Sequence, residues 1–573
     1  MRHKFYHSRL LLKEDRQHIR YQFRKDDEVH LADDDPTLVT LPEGQIRGRA
    51  LKLVDNSTYY AFQDIPYASP PVGELRFKEP VAPEKWEGVL NTTKNTKICY
   101  QSGVYSDLGD LRQTEDCLYL NVYTTLKPGD DTQIPLPVLV WIHGGGLISG
   151  SGASLFYNPQ LFLHHNIIIV TINYRLGPLG FLTTEDGVIP GNLGLKDQHF
   201  ALQWVKKNIK LFGGDPEKVT ISGESAGGEC VGWHLSSLRN KDLFRAAILQ
   251  SGTAMGAYSH QDYARFYAFE LGKSLDSNFT SDDSAELLKL LQNTSASDIT
   301  NNTVTVVVGK EIGLDIVGGM IWGPVIENKE LDGAFVTGLF HEDVRIGNIN
   351  QVPIIIGFNS EEESFLWRID ASRFKKWAKY FDSDPSNIIH NKFNMTIENK
   401  LTAGKKLREI YTDGTFEDDV GAVVTFFSDE EFSTPMTRHA KLQSYYADVY
   451  LYQFSYKGKL GGQIDDDDAD LKGVGHTEEL PYFWGQNSNE PIDPDDEKTR
   501  HRLLTLWTNF VKYLNPTPEE DDFLFNVTWE KVAPNKLVYI NLNTTFEMQE
   551  NPKKYLEWEK IIDVYAIPPL ITY

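Results

Sequence analysis

Short apolar runs rich in β-branched residues recur along this chain, and their spacing constrains the fold more than any other feature. They occupy residues 138–142, 167–172, 219–221, 246–249, 352–356 and 449–452. Within each run the apolar residues are continuous rather than alternating, the pattern of strands covered on both faces. Residues 195–211 and the stretch after Ser225 instead repeat apolar residues at helical spacing. Strand, helix and strand in succession predict an α/β fold, with a large, mostly parallel sheet flanked by helices.

The chain has 573 residues, long enough for several domains, yet nothing in it marks a boundary. It carries no long Gly/Ser- or Pro-rich linker and no repeat with a period of roughly 20–50 residues. With 40% hydrophobic and 24% charged residues, the composition supports one large core enclosing a dry pocket. Residues 1–35 are rich in Arg, Lys, His and Asp without a sustained period, and are expected to form a poorly ordered arm. Residues 36–573 are expected to form a single domain, with the polar, turn-rich stretches 370–420 and 457–475 as insertions on its frame.

The formal net charge is −24, from 57 basic against 81 acidic residues. Such a surface repels phosphate backbones and anionic lipid, so nucleic acid is not an expected partner. It draws in cationic ligands only weakly at physiological salt. No apolar stretch approaches the ~20 residues of a membrane-spanning helix. The charged start, Met1 to Leu10, lacks the apolar centre of a secretory leader. Two features point the other way. Cys99 and Cys117 bracket a polar loop short enough to close as a disulfide. Asn-x-Ser/Thr sequons stand at Asn56, Asn91, Asn278, Asn293, Asn301, Asn394, Asn526 and Asn543. The expectation is a secreted protein whose leader is missing or already removed, with a cytoplasmic one as the alternative. Oligomeric state is not legible here.

The sharpest local signal is Gly223-Glu224-Ser225-Ala226-Gly227, entered from the strand at 219–221 and followed by a helix-compatible stretch. Glycines two residues either side of Ser225 allow the strained turn that lifts a serine above a sheet. A serine hydroxyl is a poor nucleophile without an adjacent base. In this setting the chain order is serine, acid, histidine. His476 fits the base: it follows a late strand, and Gly473 and Gly475 would let it approach the serine closely. The acid falls within Glu361-Glu362-Glu363, after the strand at 352–356. One carboxylate there would hold the imidazole tautomer and stabilise the imidazolium. Three adjacent glutamates cannot all be ionised and buried, so at most one is expected to face inward and the other two to form a solvated rim. These residues alone do not select it. For the developing oxyanion, His143-Gly144-Gly145-Gly146 follows a strand and bares several backbone N–H groups. A glycine-rich loop can also cradle phosphate, but no Lys-Ser/Thr follows this one.

Longer motifs extend the picture: Phe62-Gln63-Asp64-Ile65-Pro66-Tyr67-Ala68, Glu115-Asp116-Cys117-Leu118-Tyr119-Leu120-Asn121-Val122-Tyr123, Asn173-Tyr174-Arg175-Leu176-Gly177 and Phe212-Gly213-Gly214-Asp215-Pro216. In order and content they resemble the type-B carboxylesterase (cholinesterase-like) family, and its insect esterases most of all, over about residues 45 to 560. The resemblance implies an α/β-hydrolase fold with its site at the base of a deep gorge. It implies Glu362 as the acid, by its register after Gly357, and an oxyanion hole on the amides of Gly145, Gly146 and Ala226. It implies supporting positions for Ser251 and for Glu224, ion pairs Arg76–Glu115 and Arg175–Asp197, and a Cys99–Cys117 bridge. Closing that loop would be worth about 3 kcal/mol. Cys230 is then expected to be a buried thiol on the helix after Ser225.

The departures are informative too. Glu363 stands where the family usually has glycine, so the acid loop departs from the family pattern; Leu147 stands where it has phenylalanine, so the acyl side of the pocket is expected to be reshaped. The Cys99–Cys117 loop has no tryptophan, which argues against cholinesterase activity. Glu224 stands where juvenile hormone esterases typically carry glutamine, which argues against that specialisation. The reading is a serine carboxylesterase acting on a small-molecule ester through an acyl-enzyme, with no metal and no organic cofactor. Two alternatives share the motifs: a catalytically silent adhesion or binding ectodomain, and a slow esterase acting as a scavenger. The full set Ser225, Glu362 and His476 favours the enzyme.

Overall fold

The computed structural model of the chain describes residues 35–101, 108–130, 132–308, 320–462, 471–485, 491–568, 570 and 572. The arm expected over 1–35 lies outside them except for Asp35, as does 463–470 of the insertion expected over 457–475. One sheet of eleven strands dominates. Its strands are β1 (Arg49–Lys52), β2 (Thr58–Pro66), β3 (Tyr119–Thr124), β4 (Leu136–Ile142), β5 (Ile168–Ile172) and β6 (Gly214–Glu224). They continue with β7 (Ala246–Gln250), β8 (Ile354–Asn359), β9 (Val449–Phe454), β10 (Val538–Leu542) and β11 (Phe546–Glu550). The spatial order is β11-β10-β9-β8-β7-β6-β4-β5-β3-β2-β1. From β10 to β5 every pairing is parallel. Antiparallel pairs close both edges.

The apolar runs read from sequence are the parallel centre of this sheet, and they are continuous because both faces are covered. Val138, Val140 and Ile142 of β4 enter one core while Leu139 and Trp141 enter the other. Each such side chain contributes about 1.5–3 kcal/mol by leaving water. Helices cover the faces, among them α1 (Leu193–Asn208), α2 (Ala226–Ser236), α3 (Ser364–Ile369), α4 (Ala371–Ser383), α5 (Thr434–Gln443) and α6 (Pro494–Tyr513). Every residue of α2 is buried. A helix apolar on most sides belongs inside, and its buried His234 is hydrogen-bonded to Gln198 and Asn240.

The 370–420 stretch is more regular than its polar composition suggests. It holds α4 and a helix over Ile397–Tyr411. In α4 the buried residues Phe374, Trp377, Ala378 and Phe381 fall at helical spacing, and the charged residues between them hide the pattern.

Chain order places the site. β4 lies between β5 and β6, so the order of strand addition reverses there, and Ile142 pairs with Gly223 at the carboxyl ends. Such a reversal opens a crevice where loops leave in opposite directions. His143-Gly144-Gly145-Gly146 and Ser225 leave the sheet side by side at that crevice. The surrounding loops are pinned by three links. Cys99 and Cys117 are bonded, with Cα atoms 5.0 Å apart. Arg76 grips Glu115 with two hydrogen bonds, at 2.5 and 2.7 Å. Arg175 does the same to buried Asp197, both at 2.7 Å.

Candidate active site

Ser225 joins β6 to α2 with φ 58° and ψ −132°, a conformation that a side chain rarely adopts. Holding it costs about 1–3 kcal/mol, which the surrounding packing must offset. Gly227 makes the tight turn feasible: a Cβ there would lie 2.1 Å from the carbonyl of Ile142. The hydroxyl is thereby lifted above the sheet, where Ser225, Gly145, Gly146 and His476 line one cavity of about 1000 Å³. A second cleft, of about 380 Å³ beside Arg49, Gln63 and Asn95, holds none of these residues.

The glycine loop faces the same space with backbone alone. Gly145 has φ 104° and Gly146 φ 61°, and a Cβ on Gly145 would sit 2.3 Å from the carbonyl of Ser149. Among the described residues, neither Gly145 nor Gly146 donates its N–H to a backbone carbonyl. Ala226 is the first residue of α2, a position whose N–H has no acceptor within its helix.

His476 reaches the cavity from the loop after β9. Its Nδ1 lies 2.7 Å from Glu362 Oε2, and its backbone N–H donates to the Glu362 carbonyl at 2.9 Å. The other Glu362 oxygen accepts from Ser251 Oγ and from the Asn359 N–H, both at 2.6 Å. Glu362 is therefore fully engaged and 1% exposed. The remaining imidazole nitrogen, Nε2, stands 3.3 Å from Glu224 Oε1. Among the described residues, no hydrogen bond joins that nitrogen to Ser225. Catalytic hydrogen bonds without substrate are commonly looser than in the reacting complex.

Several carboxyl groups thus share one dry volume with one imidazole. Burial alone would lower the imidazole pKa, but Glu224, Glu362 and Glu479 outweigh it and hold His476 above the ordinary histidine range. Burial pushes the Glu224 carboxyl up to about 8, against the pull of His476. It pushes Glu479 up to about 7, helped by the charge of Glu362. Burial thus opposes full ionisation of Glu224 and Glu479, while Glu362, with both oxygens hydrogen-bonded, is the anchored partner of the imidazole.

Three expectations need correction. Glu361, Glu362 and Glu363 do not divide into one buried acid and a solvated rim: Glu362 is 1% and Glu363 5% exposed, and Glu361 is half-buried. Each has its own partner. Glu361 accepts from Thr425 Oγ1 at 2.9 Å, and burial pushes Glu363 up to about 7, so the three need not all be charged together. Secondly, the glycines flanking His476 do not serve approach to the serine. A Cβ on Gly473 would strike Glu361 and one on Gly475 would strike Arg368 and Ser364, so they let the histidine loop lie on the acid loop. Thirdly, Leu147 is fully buried in the core, and its neighbour Ile148 faces the cavity instead. Cys230 is a buried thiol on α2, accepting from Gln198 Nε2 at 3.2 Å.

Sequence reading gives no role to Glu479, whose carboxyl accepts from Asn359 Nδ2 at 2.7 Å and faces His476. Its signal was the three-residue spacing after the histidine. It also passed over the aromatic wall. Tyr157 and Trp484 line the cavity with ring centroids 5.2 Å apart, and Trp484 leans on Trp141 at 4.9 Å.

A family model described as the carboxylesterase family matches residues 35–557. The chain belongs to the carboxylesterase family. This carboxylesterase is 34% identical over 505 residues to a juvenile hormone esterase of Heliothis virescens, covering 84% of the chain and 86% of that protein. It is 30% identical over 540 residues to venom carboxylesterase-6 of Apis mellifera, covering 89% and 91%. It is also similar to the crystal structure of juvenile hormone esterase from Manduca sexta with OTFP covalently attached. That match has a TM-score of 0.80 at 28% identity, over 92% of this chain and 99% of the other. The fold is that of the α/β-hydrolases, and the carboxylesterase hydrolyses carboxylic esters.

Proposed function

We propose that this carboxylesterase works through Ser225 as nucleophile, His476 as base and Glu362 as the acid that orients the base. Gly145, Gly146 and Ala226 supply the donors to the oxyanion. The observation that carries the reading is the chain of contacts Ser251–Glu362–His476 ending in a cavity that Ser225 and the bare Gly145–Gly146 backbone also line. The serine hydroxyl attacks the ester carbonyl as its proton passes to His476 Nε2, and the imidazolium returns that proton to the leaving alcohol. Water then repeats the sequence on the acyl-enzyme. Each oxyanion donor would contribute about 3–4 kcal/mol in the transition state. The captured OTFP adduct of the Manduca sexta relative fits an enzyme class that reacts covalently.

The cavity wall of Ile148, Tyr157, Phe365, Leu366, Leu480 and Trp484 is apolar and suits an ester with a large hydrocarbon portion. Secretion fits the surface. Seven of the eight sequon asparagines are exposed, Asn543 being half-buried, and the Cys99–Cys117 bond suits an oxidising compartment. Among the described residues, no helix is long and apolar enough to cross a membrane. Stopped-flow hydrolysis of a p-nitrophenyl ester tests the reading. A burst stoichiometric with enzyme, absent from Ser225→Ala, is expected; equal turnover by Ser225→Ala would refute it.

A further inference from the structure

Two of the proposed oxyanion donors, the N–H groups of Gly145 and Gly146, are each held from the far side of their peptide. In a trans peptide the C=O and the following N–H point in opposite directions, so whatever grips the carbonyl aims the amide. The Gly144 carbonyl shares its peptide with the Gly145 N–H, and it accepts from His143 Nδ1 at 2.8 Å. Burial lowers the His143 imidazole to about 4, so the ring is neutral near neutral pH, and its one proton sits on the nitrogen that faces a carbonyl. The Gly145 carbonyl shares its peptide with the Gly146 N–H, and it accepts from the N–H groups of Ile148 and Ser149 at 3.1 and 3.0 Å.

His143 is itself held in place by two neighbours. Tyr174 stacks on its ring with centroids 4.4 Å apart, and donates its hydroxyl to the His143 carbonyl at 2.8 Å. Gly150 lies directly against the His143–Gly144 hydrogen bond: a Cβ there would stand 2.3 Å from His143 Nδ1 and 2.6 Å from the Gly144 carbonyl. Gly150 has no side chain to anchor it, and Gln101 grips its backbone instead. The Gly150 N–H donates to Gln101 Oε1 at 2.9 Å, and the Gly150 carbonyl accepts from Gln101 Nε2 at 3.0 Å. The same Nε2 donates to the carbonyl of Cys99, which is bonded to Cys117, at 3.1 Å. Gln101 is 4% exposed and does not line the cavity.

We propose that Gln101 is a positioning residue for ester hydrolysis: its carboxamide clamps Gly150 against His143 and so aims the Gly145 N–H at the oxyanion. The inference rests on the oxyanion reading above, and it adds a residue that lies outside the glycine-rich motif. Without the clamp Gly150 is free to shift, and the Gly144–Gly145 peptide is no longer wedged. The cost falls on the transition state, where the charge on the carbonyl oxygen, and hence its need for an aimed donor, is greatest.

The test compares the full-length wild type with Gln101→Met and Gln101→Asn. The first keeps the volume and removes both bonds to Gly150; the second keeps an amide that is one methylene too short to make both. kcat and KM are measured on a p-nitrophenyl ester from pH 5 to 9, together with the affinity for an alkyl trifluoromethyl ketone. That ketone adds reversibly to the serine hydroxyl and places an anionic oxygen where the ester oxyanion forms. Each variant should lose about tenfold or more in kcat/KM, most of it in kcat, short of the about 10²–10³-fold lost with a whole donor. Ketone affinity should weaken by a similar factor, and the acid limb of kcat/KM should stay in place, because no titratable group has changed. Wild-type ketone affinity in a folded variant, or an acid limb that moves, overturns the clamp; Gln101→Asn decides if Gln101→Met does not fold. Gly145→Ala is the control, and unchanged ketone affinity there would overturn the oxyanion reading itself.

Discussion

On one side of Ser225 the groups that face the cavity are backbone amides, held by Gly145 and Gly146 at φ 104° and 61°. On the other side stand an imidazole and the buried carboxyls of Glu224, Glu362, Glu363 and Glu479. In the proposed mechanism the first side stabilises charge with fixed dipoles that carry no titratable proton, and it leaves no room for a side chain. The second tolerates isosteres in shape, but each of its groups changes charge with pH and with its neighbours. One half is therefore limited by sterics and the other by protonation, and mutations should separate them.

Ser225→Ala removes the residue both halves serve and should cut kcat by about a millionfold, as for the serine of other triads. Glu362→Gln keeps the volume but unbalances the Ser251–Glu362–His476 chain. A fall in kcat of about 10⁴-fold is expected, since the wrong imidazole tautomer is then favoured. Gly145→Ala places a methyl 2.3 Å from the Ser149 carbonyl at a left-handed φ. It should lower kcat by about 10²–10³-fold, the loss of one oxyanion donor, without changing the shape of the pH profile. Glu224→Gln should act on pH instead. His476 is held above its ordinary value of 6.5 in part by Glu224, and the base works only unprotonated. Wild-type kcat/KM should therefore rise with pH along an acid limb displaced upward, and removing the Glu224 charge should move that limb down. A Gly145→Ala variant that shifts the limb as Glu224→Gln does would break the division between the two sides.

The parallel centre of the sheet was legible because burial on both faces leaves uninterrupted runs such as 138–142. The edge strands β1 and β11 were not, because strands covered less completely mix polar and apolar residues, as in Phe546–Glu550. At the site, the glycine loop and the Ser225 turn could be read locally, since positive φ and close approach demand particular residues at particular positions. The acidic half could not. Whether Glu361, Glu362 or Glu363 faces inward depends on Ser251, Thr425 and Ser428, which lie on other elements. Charge repulsion suggested a solvated rim; burial that pushes the Glu363 carboxyl up to about 7 lets it lie inside instead. The contact between Glu224 and His476 Nε2 likewise comes from the meeting of two distant loops.

Peptide mapping by mass spectrometry after reaction with a fluorophosphonate asks which hydroxyl the imidazole activates. One adduct per chain is expected, on the peptide containing Ser225, formed far more slowly in Glu362→Gln. Rapid labelling of another residue, or full esterase turnover with Ser225 unlabelled and the reagent in excess, would contradict it.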